Sequence, residues 1–126
     1  MVLDSDSSKF DKSKFPDNYV SHIAKSVYDG KCILVSSHAD VRAKLVEYQL
    51  LDLLVYPSIS SKNAYIDRYR KRGSSPQFVE MLDKQFENFV RMCQAQTGCR
   101  HVELDGNTYL SDVIRFNQAT KHLEQI

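Results

Sequence analysis

Apolar residues recur along this chain in two rhythms: short unbroken runs that mark strands, and spacings of three and four that mark amphipathic helices. After a polar, turn-forming opening from Asp4 to Phe10, Pro16-Asp17 leads into a helix whose stripe is Tyr19, Val20, Ile23, Ala24 and Val27, ended by Gly30. Cys32-Ile33-Leu34-Val35-Ser36 then predicts a central parallel strand covered on both faces. Ser37 is placed to cap the next helix, with Asp40 in the capping-box position and Val41, Leu45 and Tyr48 facing inward. Leu53-Leu54-Val55-Tyr56, closed by Pro57, is the next buried strand, and strand, helix, strand over this short stretch predicts a βαβ unit.

The second half has the clearest helix signal. Ser75-Pro76 is an N-cap followed by proline at the first helical position, and Phe78, Val79, Leu82, Phe86, Phe89, Val90 and Cys93 follow at helical spacing, with Gly98 beyond the end. Ahead of it, Lys62 to Arg72 reads as a basic helix stopped by Gly73. Arg100 to Leu104 alternates as a more exposed edge strand would, Asp105-Gly106 turns the chain, and Asn107 or Thr108 is expected to cap a last helix presenting Tyr109, Leu110, Val113 and Ile114 to the core. The expected architecture is α/β and three-layered: a mostly parallel short sheet of roughly three or four strands flanked by about five helices. Residues 1–126 are expected to form a single domain, with residues 1–16 a poorly structured or edge-strand segment.

Composition narrows the class. With 126 residues, 42% hydrophobic and 26% charged, the chain matches a globular protein, and no apolar run approaches membrane-spanning length. Acids near the start stand where a signal peptide would be basic and then apolar, so a cytoplasmic location is expected. Three cysteines, Cys32, Cys93 and Cys99, cannot all pair within the chain, and reduced thiols are expected. The net charge of +1 offers no global attraction for nucleic acid, but the stretch from Lys62 to Arg72 holds five bases (Lys62, Arg68, Arg70, Lys71, Arg72) against one acid (Asp67), a local charge of +4.

Several short stretches together carry a resemblance. Asp4-Ser5-Asp6-Ser7-Ser8-Lys9-Phe10, Phe15-Pro16-Asp17-Asn18-Tyr19, Ile33-Leu34-Val35-Ser36-Ser37-His38, Leu54-Val55-Tyr56-Pro57, Tyr65-Ile66-Asp67-Arg68-Tyr69-x-x-Arg72-Gly73 and Tyr109-Leu110-Ser111-Asp112-Val113-Ile114 resemble the later two thirds of P-loop nucleoside and deoxynucleoside monophosphate kinase-like proteins of phages and bacteria. The resemblance implies that Lys62, Arg68, Arg70 and Arg72 belong to a lid that neutralises phosphates. It also implies that Asp4, Asp6, Ser7, Ser8 and Lys9 face the acceptor nucleotide, while Ser36, Ser37 and His38 are candidates because they follow the C-terminal end of a buried strand, where open parallel sheets place ligands. The family's G-x-x-x-x-G-K-[ST] loop is missing: the four glycines, Gly30, Gly73, Gly98 and Gly106, are not followed by Lys-Ser or Lys-Thr. Phosphoryl transfer needs both a glycine cradle and a charge clamp, so a non-catalytic remnant that binds a nucleotide, with or without magnesium, is the expectation.

Each residue also has a plainer account. Two carboxylates at i and i+2, Asp4 and Asp6, fit magnesium or ordinary Asx turns; a capping serine accounts for Ser37; the basic helix fits a solvated surface, or single-stranded nucleic acid through its interleaved tyrosines. Cys93, Cys99 and His101 have no zinc spacing, the four histidines show no i, i+4 pair, and no G-x-S-x-G elbow exists. An open edge in a sheet deprived of a strand invites a homodimer or a protein partner. The rival function is therefore a phage-encoded inhibitor of a host enzyme or defence complex, of the anti-CRISPR kind; a further one is half of a split kinase.

Overall fold

The computed structural model describes residues 2–36 and 38–126. The protein is α/β, with six short strands and five α-helices in the order β1 (Val2–Ser5), α1 (Asp17–Tyr28), β2 (Cys32–Val35), α2 (Ala39–Glu47), β3 (Leu53–Pro57), α3 (Lys62–Lys71), α4 (Pro76–Gln94), β4 (Arg100–Leu104), α5 (Leu110–Val113), β5 (Ile114–Asn117) and β6 (His122–Gln125). The chain divides into two compact units, residues 1–52 with 114–126, and residues 53–113. Among the described residues the strands pair only in twos: β1 with β2 and β3 with β4 in parallel, β5 with β6 antiparallel. No helix among them is long and apolar enough to cross a membrane.

In the first unit, β1 and β2 run in register from Val2 opposite Cys32 to Ser5 opposite Val35. Parallel strands require a crossover, and α1 lies within it. The core is Tyr19, Val20 and Ile23 of α1 with Val41 and Leu45 of α2, closed by Phe10, Phe15, Ile33, Val35, Leu50 and Leu51. Tyr19 is fully buried, and its hydroxyl has two partners: it donates to the Ser5 carbonyl at 2.7 Å and accepts from the Ser36 amide at 3.0 Å. One core side chain thus fastens the exits of both strands.

In the second unit, β3 and β4 pair from Leu53 opposite Arg100 to Pro57 opposite Leu104, and the Ser58 amide extends the ladder to the Leu104 carbonyl at 2.9 Å. Leu54 and Tyr56 on β3 pack against Phe86 and Val90 on α4. The start of α4 is as expected: Ser75 Oγ accepts from the Phe78 amide at 3.1 Å with Pro76 at the first helical position. His101 on β4 stands edge-on to Tyr56 of this core at 5.6 Å. Its Nε2 lies 2.7 Å from the Gln96 carbonyl, which can only accept, so Nε2 carries the proton and Nδ1 accepts from the Tyr56 hydroxyl at 2.8 Å. Burial and the nearby Glu103 charge push the Tyr56 phenol up, which keeps it a donor.

Five expectations are corrected. The βαβ unit expected from β2, α2 and β3 is absent, because β2 pairs with β1 and β3 with β4; each parallel pair instead brackets its own helices. The sheet of three or four strands is accordingly a set of two-stranded pieces. Leu34, Val27 and Tyr48 are exposed, so β2 is not covered on both faces and Ser26 joins the buried face of α1 in place of Val27. The N-cap of α2 is His38, without a side-chain capping bond, while Ser37 lies outside the described residues. The last helix is one turn only, and Ile114 opens a hairpin whose bend is held by Asn117 Oδ1, which accepts from the amides of Ala119 (2.9 Å) and Thr120 (3.2 Å).

The ends of α2 and α3 follow one pattern. After α3, Gly73 has φ +81, its amide bonds the Arg70 carbonyl at 3.0 Å and the Ser74 amide the Tyr69 carbonyl at 3.1 Å, the paired bonds of a Schellman ending. The same bonds end α2, from Gln49 to Val46 and from Leu50 to Leu45, but there Gln49 takes the left-handed position at φ +57. A β-carbon in that conformation costs about 1 kcal/mol. Gln49→Gly is therefore expected to raise stability by about 0.5 kcal/mol after glycine's extra unfolded-state entropy, measured as a higher urea midpoint at unchanged slope.

Candidate functional site

The basic helix α3 sorts its charges into two groups. Lys62, at its start, gives Nζ to Asp83 Oδ1 of α4 at 2.8 Å, and that hydrogen bond and charge hold the Asp83 carboxyl below its ordinary range. Arg68 is also engaged inside the unit. Its Nη2 donates to the Gly106 carbonyl, and its guanidinium lies 5.0 Å from the centre of the Tyr65 ring. The turn after β4 is pressed against α3 at this point: a β-carbon on Gly106 would stand 2.6 Å from that of Ala64. Lys62 and Arg68 therefore seat the helix.

The remaining bases face solvent. Arg70 makes a long pair with Asp67, Nη1 to Oδ1 at 3.8 Å, with both side chains about two thirds exposed, and its charge also reaches Asp83. Arg72, just past the last turn, lies 5.4 Å over the Tyr69 ring, which packs edge-on against Phe78 at 5.3 Å. Lys71 is exposed beside them. Cations at a helix C-terminus favour the local dipole, so this placement is stable without any ligand. An anion bound here would be held by side chains, since the helix end offers carbonyls. Planar guanidinium groups suit that task.

A second cluster lies at the carboxyl ends of β1 and β2, where parallel α/β sheets commonly present ligand-contacting groups. Asp6 caps a single 3-10 turn, Ser7–Lys9, with Oδ1 accepting from the Ser8 amide at 2.9 Å, and hydrogen bonds from Ser8 hold its carboxyl below the ordinary value of 3.8. The turn is tied across to β2: the Ser7 amide donates to Ser36 Oγ at 3.3 Å, and Ser7 Oγ is 3.0 Å from His38 Nε2. The His38 ring stands edge-on to Phe15 at 5.8 Å. Asp6, Ser7, Ser8, Lys9 and His38 are thus gathered at one turn, Asp4 is exposed within β1, and Ser37 falls outside the described residues. The Asx-turn account of Asp6 is the one its hydrogen bonds match, and among the described residues no three histidine, cysteine or carboxylate groups converge as a metal site requires.

Three contributors had no chemical signal in the sequence: Tyr19, which read as core; Phe15, which entered only within a stretch of the resemblance; and Gly106, which read as a turn. Comparison with protein-family models, with curated proteins and with solved structures finds no match to this chain.

Two tests follow from this geometry. Gly106→Ala is expected to cost about 1–3 kcal/mol, the usual range for overpacking, measured by urea denaturation. Ala64→Gly in the same chain should return part of that loss, because the two positions compete for one space. Asp6, Asp83 and Asp105 all have carboxyls held low, Asp105 first by the Thr108 hydroxyl and then by the Asn107 amide. Folded-state values below the unfolded 3.8 mean a stabilisation present above that pH and lost as pH falls through the folded values. The melting temperature should hold to about pH 5 and drop between about pH 4 and 2, and Asp105→Asn should flatten that drop.

Proposed function

We infer that this chain binds a nucleotide or another phosphorylated ligand at the end of α3, with Arg70 and Arg72 as the phosphate-contacting pair. The division of labour along that helix carries the reading: Lys62 and Arg68 are committed to Asp83 and Gly106, whereas Arg72 rests on an aromatic ring and Arg70 is mostly exposed. Arg68 is exposed like the other two, and it is its bond to Gly106, not burial, that sets it apart from Arg70 and Arg72. Parallel strand pairs with helices between them, together with the sequence resemblance, support descent from a P-loop nucleotide-kinase fold. The sequence lacks the glycine-rich lysine loop that phosphoryl transfer requires, so the proposed activity is binding and not turnover. Ser7, Ser8, Lys9 and His38 at the strand exits supply hydroxyl, ammonium and imidazole groups for a further polar contact.

Nucleoside mono-, di- and triphosphates are expected to raise the melting temperature, with a stabilisation of about 1.4 kcal/mol at a tenfold excess over the dissociation constant. Arg70→Ala with Arg72→Ala should abolish the shift, measured against the variant's own ligand-free melting temperature, and added salt should weaken it. No shift at millimolar ligand, or a shift indifferent to both substitutions, contradicts the reading.

A further inference from the structure

The exits of β1 and β2 bring a hydroxyl and an imidazole together. Ser5 lies opposite Val35 at the end of the ladder, and the Tyr19 hydroxyl holds the Ser5 carbonyl at 2.7 Å and the Ser36 amide at 3.0 Å. Ser7 stands two residues beyond the first of these anchors and His38 two beyond the second. Their side chains meet, Ser7 Oγ to His38 Nε2 at 3.0 Å. The Ser7 amide donates to Ser36 Oγ at 3.3 Å, and the His38 ring stands edge-on to Phe15, which stacks on Tyr19 at 5.9 Å. One buried phenol thus places both partners, at the end of the strands where open parallel sheets bind ligands. Ser7 is half-buried and His38 exposed, so a solute reaches the pair from water.

We propose that Ser7 is a nucleophile with His38 as its general base, and that the pair transfers acyl groups from activated esters to water. A serine hydroxyl is a weak nucleophile until a neighbouring base takes its proton, and the mark of such a pair is a hydrogen bond between the two. The arrangement is recognised by geometry and not by a sequence pattern, so the lack of a G-x-S-x-G elbow does not count against it. Among the described residues, His38 is the sole hydrogen-bond partner of the Ser7 hydroxyl. With the ring proton on Nδ1, Nε2 accepts from that hydroxyl. Ser7 Oγ attacks the ester carbonyl carbon while its proton passes to Nε2, and that proton goes to the leaving oxygen as its bond to the acyl carbon breaks. Water then attacks the Ser7 acyl ester; its proton travels through Nε2 to Ser7 Oγ, and a carboxylic acid departs. No other reactant is consumed.

The same turn sets the class of substrate. A carbonyl oxygen that becomes negative in the transition state is stabilised by donors aimed at it, and loss of such donors slows acyl transfer steeply. Here the backbone donors are already spent: the Ser7 amide on Ser36 Oγ, the Ser8 amide on Asp6 Oδ1 at 2.9 Å and the Lys9 amide on the Asp6 carbonyl at 3.4 Å. The pair therefore serves esters whose leaving group departs readily, such as aryl esters, and leaves amides intact. This chemistry is separate from phosphate binding at α3, since it uses neither Arg70 nor Arg72.

Two probes of the intact chain test the pair. A fluorophosphonate, which couples its phosphorus to an activated serine oxygen with loss of fluoride, is expected to label Ser7, as peptide mapping reads. With p-nitrophenyl acetate, nitrophenol release should exceed that from the Ser7→Ala chain by more than one equivalent, which separates turnover from simple acylation of surface amines. His38→Gln keeps a polar side chain but no base, and should slow both labelling and release at least about tenfold; circular dichroism melts establish that both variants are folded. No label on Ser7 in the unaltered chain, equal labelling of other serines, release matching that of Ser7→Ala, or a smaller effect of His38→Gln overturns the proposal.

Discussion

Two parallel strands make too short a ladder and too narrow an apolar face to stand alone in water, and that constraint organises both units of this protein. Each pair depends on the side chains its own crossover supplies. In the first unit the supplier is α1, whose Tyr19 fills the core and uses its hydroxyl to hold Ser5 and Ser36 together. In the second it is α4, whose Phe86 and Val90 cover Leu54 and Tyr56. Removal of either set would leave the strands with an uncovered face, so strand pairing here depends on helix packing.

The same economy of parts explains how the polar chemistry is arranged. Where the chain turns sharply, carboxylates close the turns: Asp6 on Ser8, Asp11 on Ser13, Asp105 on Asn107 and Thr108. Where a helix must be seated, long cations do it, as Lys62 and Arg68 show. Residues that look alike in the sequence are thereby separated by what they touch. Arg68 and Arg72 are both exposed arginines over tyrosines on one helix face, yet Arg68 is anchored to a backbone carbonyl across the turn after β4.

Periodicity made the long elements legible. α1, α4 and the strands β2 to β4 lie close to where their apolar spacing and their flanking proline and glycine residues put them, whereas β1 runs on through Asp4 and Ser5, which read as part of a turn. The unit boundary and the pairing of strands were not legible, because a run such as Leu53 to Tyr56 declares that it is a strand without declaring its neighbour; β3 selects β4, which lies beyond two helices. The terminal hairpin escaped for a different reason. Its bend uses Asn117 and a left-handed Lys121 in place of an Asn-Gly or Asp-Gly pair, and Ile114 continues the helical spacing of Leu110 and Val113. Of the candidate site, the basic cluster and the seryl turn could be read from residue types, but which bases are free depends on Gly106 and Asp83, residues distant in sequence from the helix they hold.

Gly106 reaches beyond its own turn in one respect. Its backbone is not twisted into the left-handed region that usually calls for glycine; the position is closed to side chains because Ala64 already fills the space, while its carbonyl holds Arg68. Were many versions of this protein sorted by survival, glycine at 106 would persist with the tenacity of a reactive residue, for reasons of room alone. Invariance at that site would therefore be a poor guide to chemistry, and the positions to watch for ligand choice are the ones that geometry leaves free to vary.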